Sequence, residues 1–179
     1  WASEGRKNVF GNILKVVEMQ SEAGAAGTVH GSLTGGALTT TFTASQGLLL
    51  MIPSMYKIAG EMMPTVFHIA ARSLACQALS IFCDHSDVMA TRDCGWIQMF
   101  AESAQQAFDL ILCAFKIAEN KSVLFPTMVN IDGFHISHVI ESLLTIEQKD
   151  VDNFLSHNLH LYAGKPFLCL ICIYHPLIG

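Results

Sequence analysis

Charge is what this sequence has least of. Only 14% of its 179 residues are Asp, Glu, Lys or Arg, where an average globular chain has about 25%. Ten basic residues against fifteen acidic ones leave a net charge of -5. That excludes the basic face of a nucleic-acid binder and the polybasic anchor of a membrane-surface protein. Long hydrophobic runs are missing too: residues 167–174 form an apolar stretch of eight, far short of the ~20 residues of a membrane span. The six cysteines, at 76, 83, 94, 113, 169 and 172, lack disulfide-framework spacing. No two His or Cys residues show zinc-like pairing, so no metal ligands are expected within the chain. The thiols point to a reducing compartment, the cytoplasm or a reducing organelle, and away from secretion. Residues 1–8 resemble neither a signal nor a transit peptide, and the first residue is Trp1. The expectation is a sequence that starts inside a longer polypeptide.

What is present is apolar: 51% of the residues are hydrophobic. That is enough for one domain with a core. The scarcity of charge predicts that part of the surface is covered by other domains or by a second subunit.

Along the chain, strand-like and helix-like segments alternate. Residues 13–19 read as a buried strand, followed by small residues over 22–36 that suit a helix start lying close to a sheet and a ligand. Residues 37–43, threonine-rich, read as a second strand. Ser45 reads as the N-cap of a helix to about Gly60, with Pro53 kinking or breaking it. Strands are expected at 65–70, 96–101 and 127–131, the last closed by Asp132-Gly133. Residues 79–82 form a short apolar segment, and 84–87 a polar cap for the next element. Helices are expected at 103–119 and 137–145. Alternation of this kind predicts an α/β fold, a parallel sheet flanked by helices. The apolar run at 167–174 is either a further buried strand or an extension foreign to the domain.

In open α/β sheets ligands bind beyond the carboxyl ends of the strands. Polar groups fall there at Ser21-Glu22, at Thr43-Ala44-Ser45-Gln46, and from Arg72 to His85. Glu22 follows an apolar strand and precedes a small-residue helix start. Desolvation and the helix N-terminus pull its acidity in opposite directions, a setting suited to sharing a proton with a heterocyclic nitrogen. On pattern alone, a carboxylate that caps its helix and faces water is the commoner reading. A surface ion pair is likewise the commoner reading of Arg72, and helix capping that of Thr43, Ser45 and Gln46. His30, His68 and His85 read as hydrogen-bonded structural groups. Cys169-Leu170-Ile171-Cys172 is formally C-x-x-C but lacks a second pair, and Leu48, Met51, Ile52 and Met55 form a core stripe.

The segments Glu18-Met19-Gln20-Ser21-Glu22-Ala23-Gly24-Ala25-Ala26-Gly27, Thr39-Thr40-Thr41-Phe42-Thr43-Ala44-Ser45-Gln46-Gly47 and Asp84-His85-Ser86-Asp87-Val88-Met89 resemble the pyruvate:ferredoxin (flavodoxin) oxidoreductases. The resemblance is strong over residues 1–88 and fades after about Glu147. It implies the pyrimidine-binding domain of the thiamine-diphosphate fold, truncated at its N-terminus, over 1–150, with a divergent tail over 151–179. It further implies a catalytic Glu22 that hydrogen-bonds the cofactor's aminopyrimidine, an Arg72 that holds the substrate carboxylate, and a cofactor cleft lined by Thr43, Ser45 and Gln46. The implied activity is oxidative decarboxylation of pyruvate to acetyl-CoA and carbon dioxide. Mg2+, [4Fe-4S] clusters, coenzyme A and ferredoxin or flavodoxin would bind domains absent here, in a homodimeric parent. The fragment alone would be inactive. The alternative is a non-catalytic remnant or partner-binding domain of the same fold. Cys83 stands where the family has a glycine, so a strained turn before Asp84 is expected if that position has positive φ.

Overall fold

The computed structural model describes residues 2–8, 11–76, 78–159 and 170–173. Short apolar or threonine-rich segments form its strands: β1 (Lys15–Glu18), β2 (Thr39–Thr43), β3 (Val66–Ala71), β4 (Ile97–Ala101), β5 (Thr127–Asp132) and β6 (Leu170–Ile173). Between them run α1 (Glu22–Thr34), α2 (Ser45–Gly60), the short α3 (Ser86–Ala90), α4 (Ala104–Ala118) and α5 (Gln148–Leu159). The strands make one sheet in the order β1-β6-β2-β3-β5-β4, and every pairing is parallel. This is the expected α/β architecture.

Two apolar cores lie on either side of the sheet. Ala25, Ala26 and Val29 of α1 and Leu48, Met51 and Met55 of α2 pack with Phe67, Ile69, Met128 and Trp96. The small residues of α1 let it lie close, and the Trp96 indole N–H donates to the Met55 carbonyl at 3.0 Å. On the opposite face Ala114 and Ala118 of α4 meet Val66 and Val129. Thr39, Thr40 and Thr41 are buried in β2, where a hydroxyl needs a partner. The Thr40 hydroxyl donates to the Val66 carbonyl, and the Thr39 hydroxyl pairs with that of Ser32.

Several expectations are corrected. Residues 13–19 do not make a buried strand: β1 is a sheet edge, paired only with β6, and three of its four residues are exposed. Ser45 is not an N-cap. Ala44 holds that position and Ser45 is the first helical residue, with φ of 52°. Helix α2 runs through Pro53 without a break. No helix forms at 137–145, because its apolar residues Val139, Ile140, Leu143 and Leu144 find nothing to pack on. Ile140 and Leu144 are exposed, and Gln105 of α4 instead pairs with both backbone groups of Leu144. Cys83 does not have a positive φ, so the turn before Asp84 is unstrained there. The apolar run at 167–174 does supply a strand: β6 is inserted between β1 and β2. Cys169 lies outside the described residues. Cys76, Cys83, Cys94 and Cys113 are free thiols. Among the described residues no helix is long and apolar enough to cross a membrane.

Candidate active site

The carboxyl ends of β2 and β3 open into a cleft of about 550 Å³. Glu22, Thr43, Ser45, Gln46 and Arg72 all line it, joined by Gly47 and by Phe134, Ser137 and His138 from the turn after β5. The five residues singled out from sequence therefore face one space, though 50 residues separate Glu22 from Arg72.

Glu22 is half-buried and opens α1 after an extended Ser21 that offers no side-chain cap. Its carboxylate lies directly against Gly47 of α2. A Cβ at Gly47 would sit 2.5 Å from Glu22 Oε1 and 2.9 Å from Cδ, closer than real Cβ contacts allow. Gly47 is thus the notch that lets the carboxylate cross from one helix start to the next. Gly133 plays the same part for Arg72: a Cβ there would strike Arg72 Cγ and the Ala71 carbonyl.

Behind the cleft sits Asp87, fully buried in α3. Its Oδ2 accepts from the backbone N–H of Ser45 at 2.9 Å and of Arg72 at 3.0 Å, and its Oδ1 from Val88 N at 2.7 Å. Burial pushes this carboxyl up from its ordinary value, and the backbone N–H groups pull it back down. One carboxylate therefore does the capping that Ala44 cannot, and ties the start of α2 to the backbone of Arg72. The strained Ser45 is held further by its hydroxyl, which donates to Gln46 Oε1 and can reach the Ser73 carbonyl at 3.1 Å. Gln46 Nε2 donates to the Ala75 carbonyl at 3.3 Å. Phe134, with φ of 67°, is a second non-glycine residue in the left-handed region on the cleft wall. Such strain persists where surrounding structure imposes it, as ligand sites do.

Two polar atoms in the cleft residues are buried and lack hydrogen-bond partners: Thr43 Oγ1 and Arg72 Nε. Unpaired buried polar groups are costly and rare in folded proteins. Both belong to residues that line the cleft together with Glu22, so a hydroxyl and a guanidinium N–H stand without protein partners in its wall. A heterocycle with nitrogen to bond and a substrate carboxylate both fit that donor and acceptor set.

Beyond the cleft, Cys83, His85 and Asp132 bring a thiol, an imidazole and a carboxylate within 4.8 Å of one another. Burial pushes the Cys83 thiol up to about 12, and the hydrogen bond to Asp132 adds to this. His30 is the structural group expected, bonded to Glu61 at 2.8 Å. His68 stacks on Phe42.

Sequence reasoning missed Gly47, Gly133 and Asp87. Gly47 lies in a segment that carries the family resemblance but has no functional group, Gly133 reads as a strand stop, and Asp87 as a polar cap. A glycine as the third residue of a helix was the one available signal, because it is costly there without a reason.

A family model described as pyruvate flavodoxin/ferredoxin oxidoreductase, thiamine diphosphate-binding, matches residues 1–171. Among curated proteins the chain is similar to the pyruvate-flavodoxin oxidoreductase of Trichormus variabilis, 56% identical over 159 residues, which are 89% of this chain and 13% of the relative. It is also similar to the pyruvate:ferredoxin oxidoreductase of Moorella thermoacetica, 58% identical over 84% of this chain and 13% of the relative. The NADP-dependent pyruvate dehydrogenase of Euglena gracilis is 55% identical over 80% of this chain and 8% of its own length. The chain thus spans about an eighth of the length of the first two. With the parallel sheet and the cleft at its carboxyl edge, these matches make the chain a member of the pyruvate flavodoxin/ferredoxin oxidoreductase family, in its thiamine diphosphate-binding region.

Proposed function

We propose that this chain forms the pyrimidine side of a thiamine-diphosphate site in an enzyme that oxidatively decarboxylates pyruvate to acetyl-CoA and carbon dioxide. Electrons would leave through iron–sulfur clusters to ferredoxin, flavodoxin or NADP. The observation that carries the reading is the Glu22 carboxylate seated in the Gly47 notch, in the cleft that also holds Arg72.

The residues fit the cofactor. Glu22 is placed to hold a proton at the N1′ nitrogen of an aminopyrimidine, and Thr43 Oγ1 to bond the same ring's polar edge. Thiamine diphosphate, when bound, would supply a nucleophilic carbon and an electron sink. Arg72 presents an unpaired guanidinium N–H to a carboxylate, the geometry that suits a 2-oxo acid. Ser45 and Gln46 shape the wall between them, with Phe134 on one side. We read residues 1–150 as the body of the domain, with the remaining 29 as a divergent tail that contributes β6 to its sheet. Mg2+, the diphosphate cradle, the clusters and the coenzyme A site belong to other parts of a homodimeric parent. The parent would work in the cytoplasm or a reducing organelle. Exposed Ile140 and Leu144 and the low charge fit a surface covered there.

The test is Glu22→Gln in the complete enzyme, assayed by carbon dioxide release from pyruvate. The expected outcome is a fall in kcat of about 10²-fold or more, with the fold unchanged. Full decarboxylation by the variant would remove Glu22 from the mechanism.

A further inference from the structure

We propose that Cys83, His85 and Asp132 bind a zinc-type divalent cation at the lip of the cleft. Their three donor atoms come from two separate parts of the fold. Cys83 and His85 stand two residues apart in the stretch leading into α3, and Asp132 is the last residue of β5. All three atoms lie within 4.8 Å of one another, and His85 Nε2 is 3.5 Å from Asp132 Oδ1. A tetrahedral zinc ion with bonds of about 2.0–2.3 Å holds its ligand atoms roughly 3.3–3.8 Å apart, so small side-chain rotations close the set.

The donor chemistry selects the ion. A thiolate and an imidazole favour zinc or cobalt over magnesium or calcium, and three protein ligands leave a fourth position open to water. His85 and Asp132 are partly exposed, with side-chain accessibilities of 47% and 37%, so the open position faces solvent. The His85 ring is braced by Phe100, with ring centroids 5.1 Å apart. Asp132 is braced through its backbone carbonyl, which accepts from Ile136 and Ser137. On binding, the Cys83 thiol loses its proton to solvent and its sulfur bonds the metal, with no change of oxidation state.

The consequence is mechanical. Ile81 and Phe134 both line the cleft, one just before Cys83 and the other just after Asp132. A bound ion would pin these two segments together. Without it they are joined by the Cys83–Asp132 hydrogen bond, the edge contact of Phe82 on Phe134 and the long His85–Asp132 pair. The sequence concealed the site because Cys83 and His85 supply only two ligands in the chain, and the third is 47 residues beyond His85.

Cobalt(II) titration of the purified chain tests this. The expected result is one equivalent bound with a thiolate-to-cobalt charge-transfer band, displaced by zinc. Cys83→Ser should abolish the band, and Cys76→Ser, at an exposed thiol outside the cluster, should leave it intact. His85→Ala should weaken binding by more than the about 10- to 100-fold that outer-shell changes cost. It serves as a second variant should Cys83→Ser misfold, with circular dichroism reporting the fold of each. Absence of the band in the parent chain, its survival in Cys83→Ser, or unchanged affinity in folded His85→Ala would each overturn the site.

Discussion

Gly47 and Gly133 bear no functional group, yet each decides where one can go. The Gly47 notch makes a prediction that separates stability from activity. Its φ is not in the left-handed region, so alanine suits the helix there and improves its propensity by up to about 1 kcal/mol. The added methyl would nonetheless collide with the Glu22 carboxylate. Gly47→Ala should therefore leave the melting temperature equal or higher while lowering turnover in the complete enzyme by about 10²-fold, measured by calorimetry and carbon dioxide release. Gly133 is less separable, because its Cβ would meet the Ala71 backbone as well as Arg72. Asp87 is a third such residue. It is fully buried, but without its carboxylate the backbone N–H groups of Ser45 and Arg72 would lose their shared acceptor.

At the scale of elements, β3 and the end of α4 carry two groups with opposite pH demands. Burial lowers His68 on β3 from 6.5 to about 4, so the folded state holds it neutral. The unfolded chain then binds more protons between those values, and stability is lost as pH falls from 6.5 to 4. Burial raises Glu119, the C-cap of α4, from 4.5 to about 7. Here the folded state holds the extra proton, so stability is lost as pH rises from 4.5 through 7. The two slopes oppose each other between 4.5 and 6.5. Glu119→Gln should stabilise the chain at about pH 8, by roughly 1–3 kcal/mol after allowing for partial exposure, and leave it unchanged near pH 4.5. His68→Phe, which keeps the stack on Phe42, should flatten the acid limb. Urea titrations from about pH 4 to 8 check both. Elements also show how legible the chain was. The strands followed from apolar or threonine-rich runs and α4 from the helical pattern of 103–119, to which the structure adds a cap by the Ser103 hydroxyl. The start of α2 did not, since its cap is a carboxylate 42 residues away. Nor did the absent helix at 137–145, whose apolar residues find nothing to pack on.

At the scale of the molecule, the unusual feature is β6, which enters the sheet from the far end of the chain. Lys15–Glu18 pairs only with Leu170–Ile173, and the latter pairs on its other side with β2. Helix α1 and its leading residue Glu22 follow β1 after three residues. A chain ending at residue 159 should therefore lose protection of the Lys15–Glu18 amides, measured by hydrogen exchange, while β3 and β5 keep theirs. Amides at 15–18 that stay protected would mean that β1 is held by something other than β6.

Sequence alone determined the fold class, the family, and the five residues that face the cleft. The alternation of segments carries the fold class and the motifs carry the resemblance. It was the resemblance that pointed to Glu22, Thr43, Ser45, Gln46 and Arg72, since on pattern alone helix capping and a surface ion pair were the commoner readings. Tertiary structure decided what those residues can do. Only the packing of α1 against α2 puts Glu22 in the Gly47 notch. Only burial in α3 makes Asp87 the shared acceptor for Ser45 and Arg72, and only the ends of two distant segments bring Cys83 and His85 to Asp132. The physical reason is the same in each case: close approach and desolvation depend on neighbours far away in the chain, which no local spacing records.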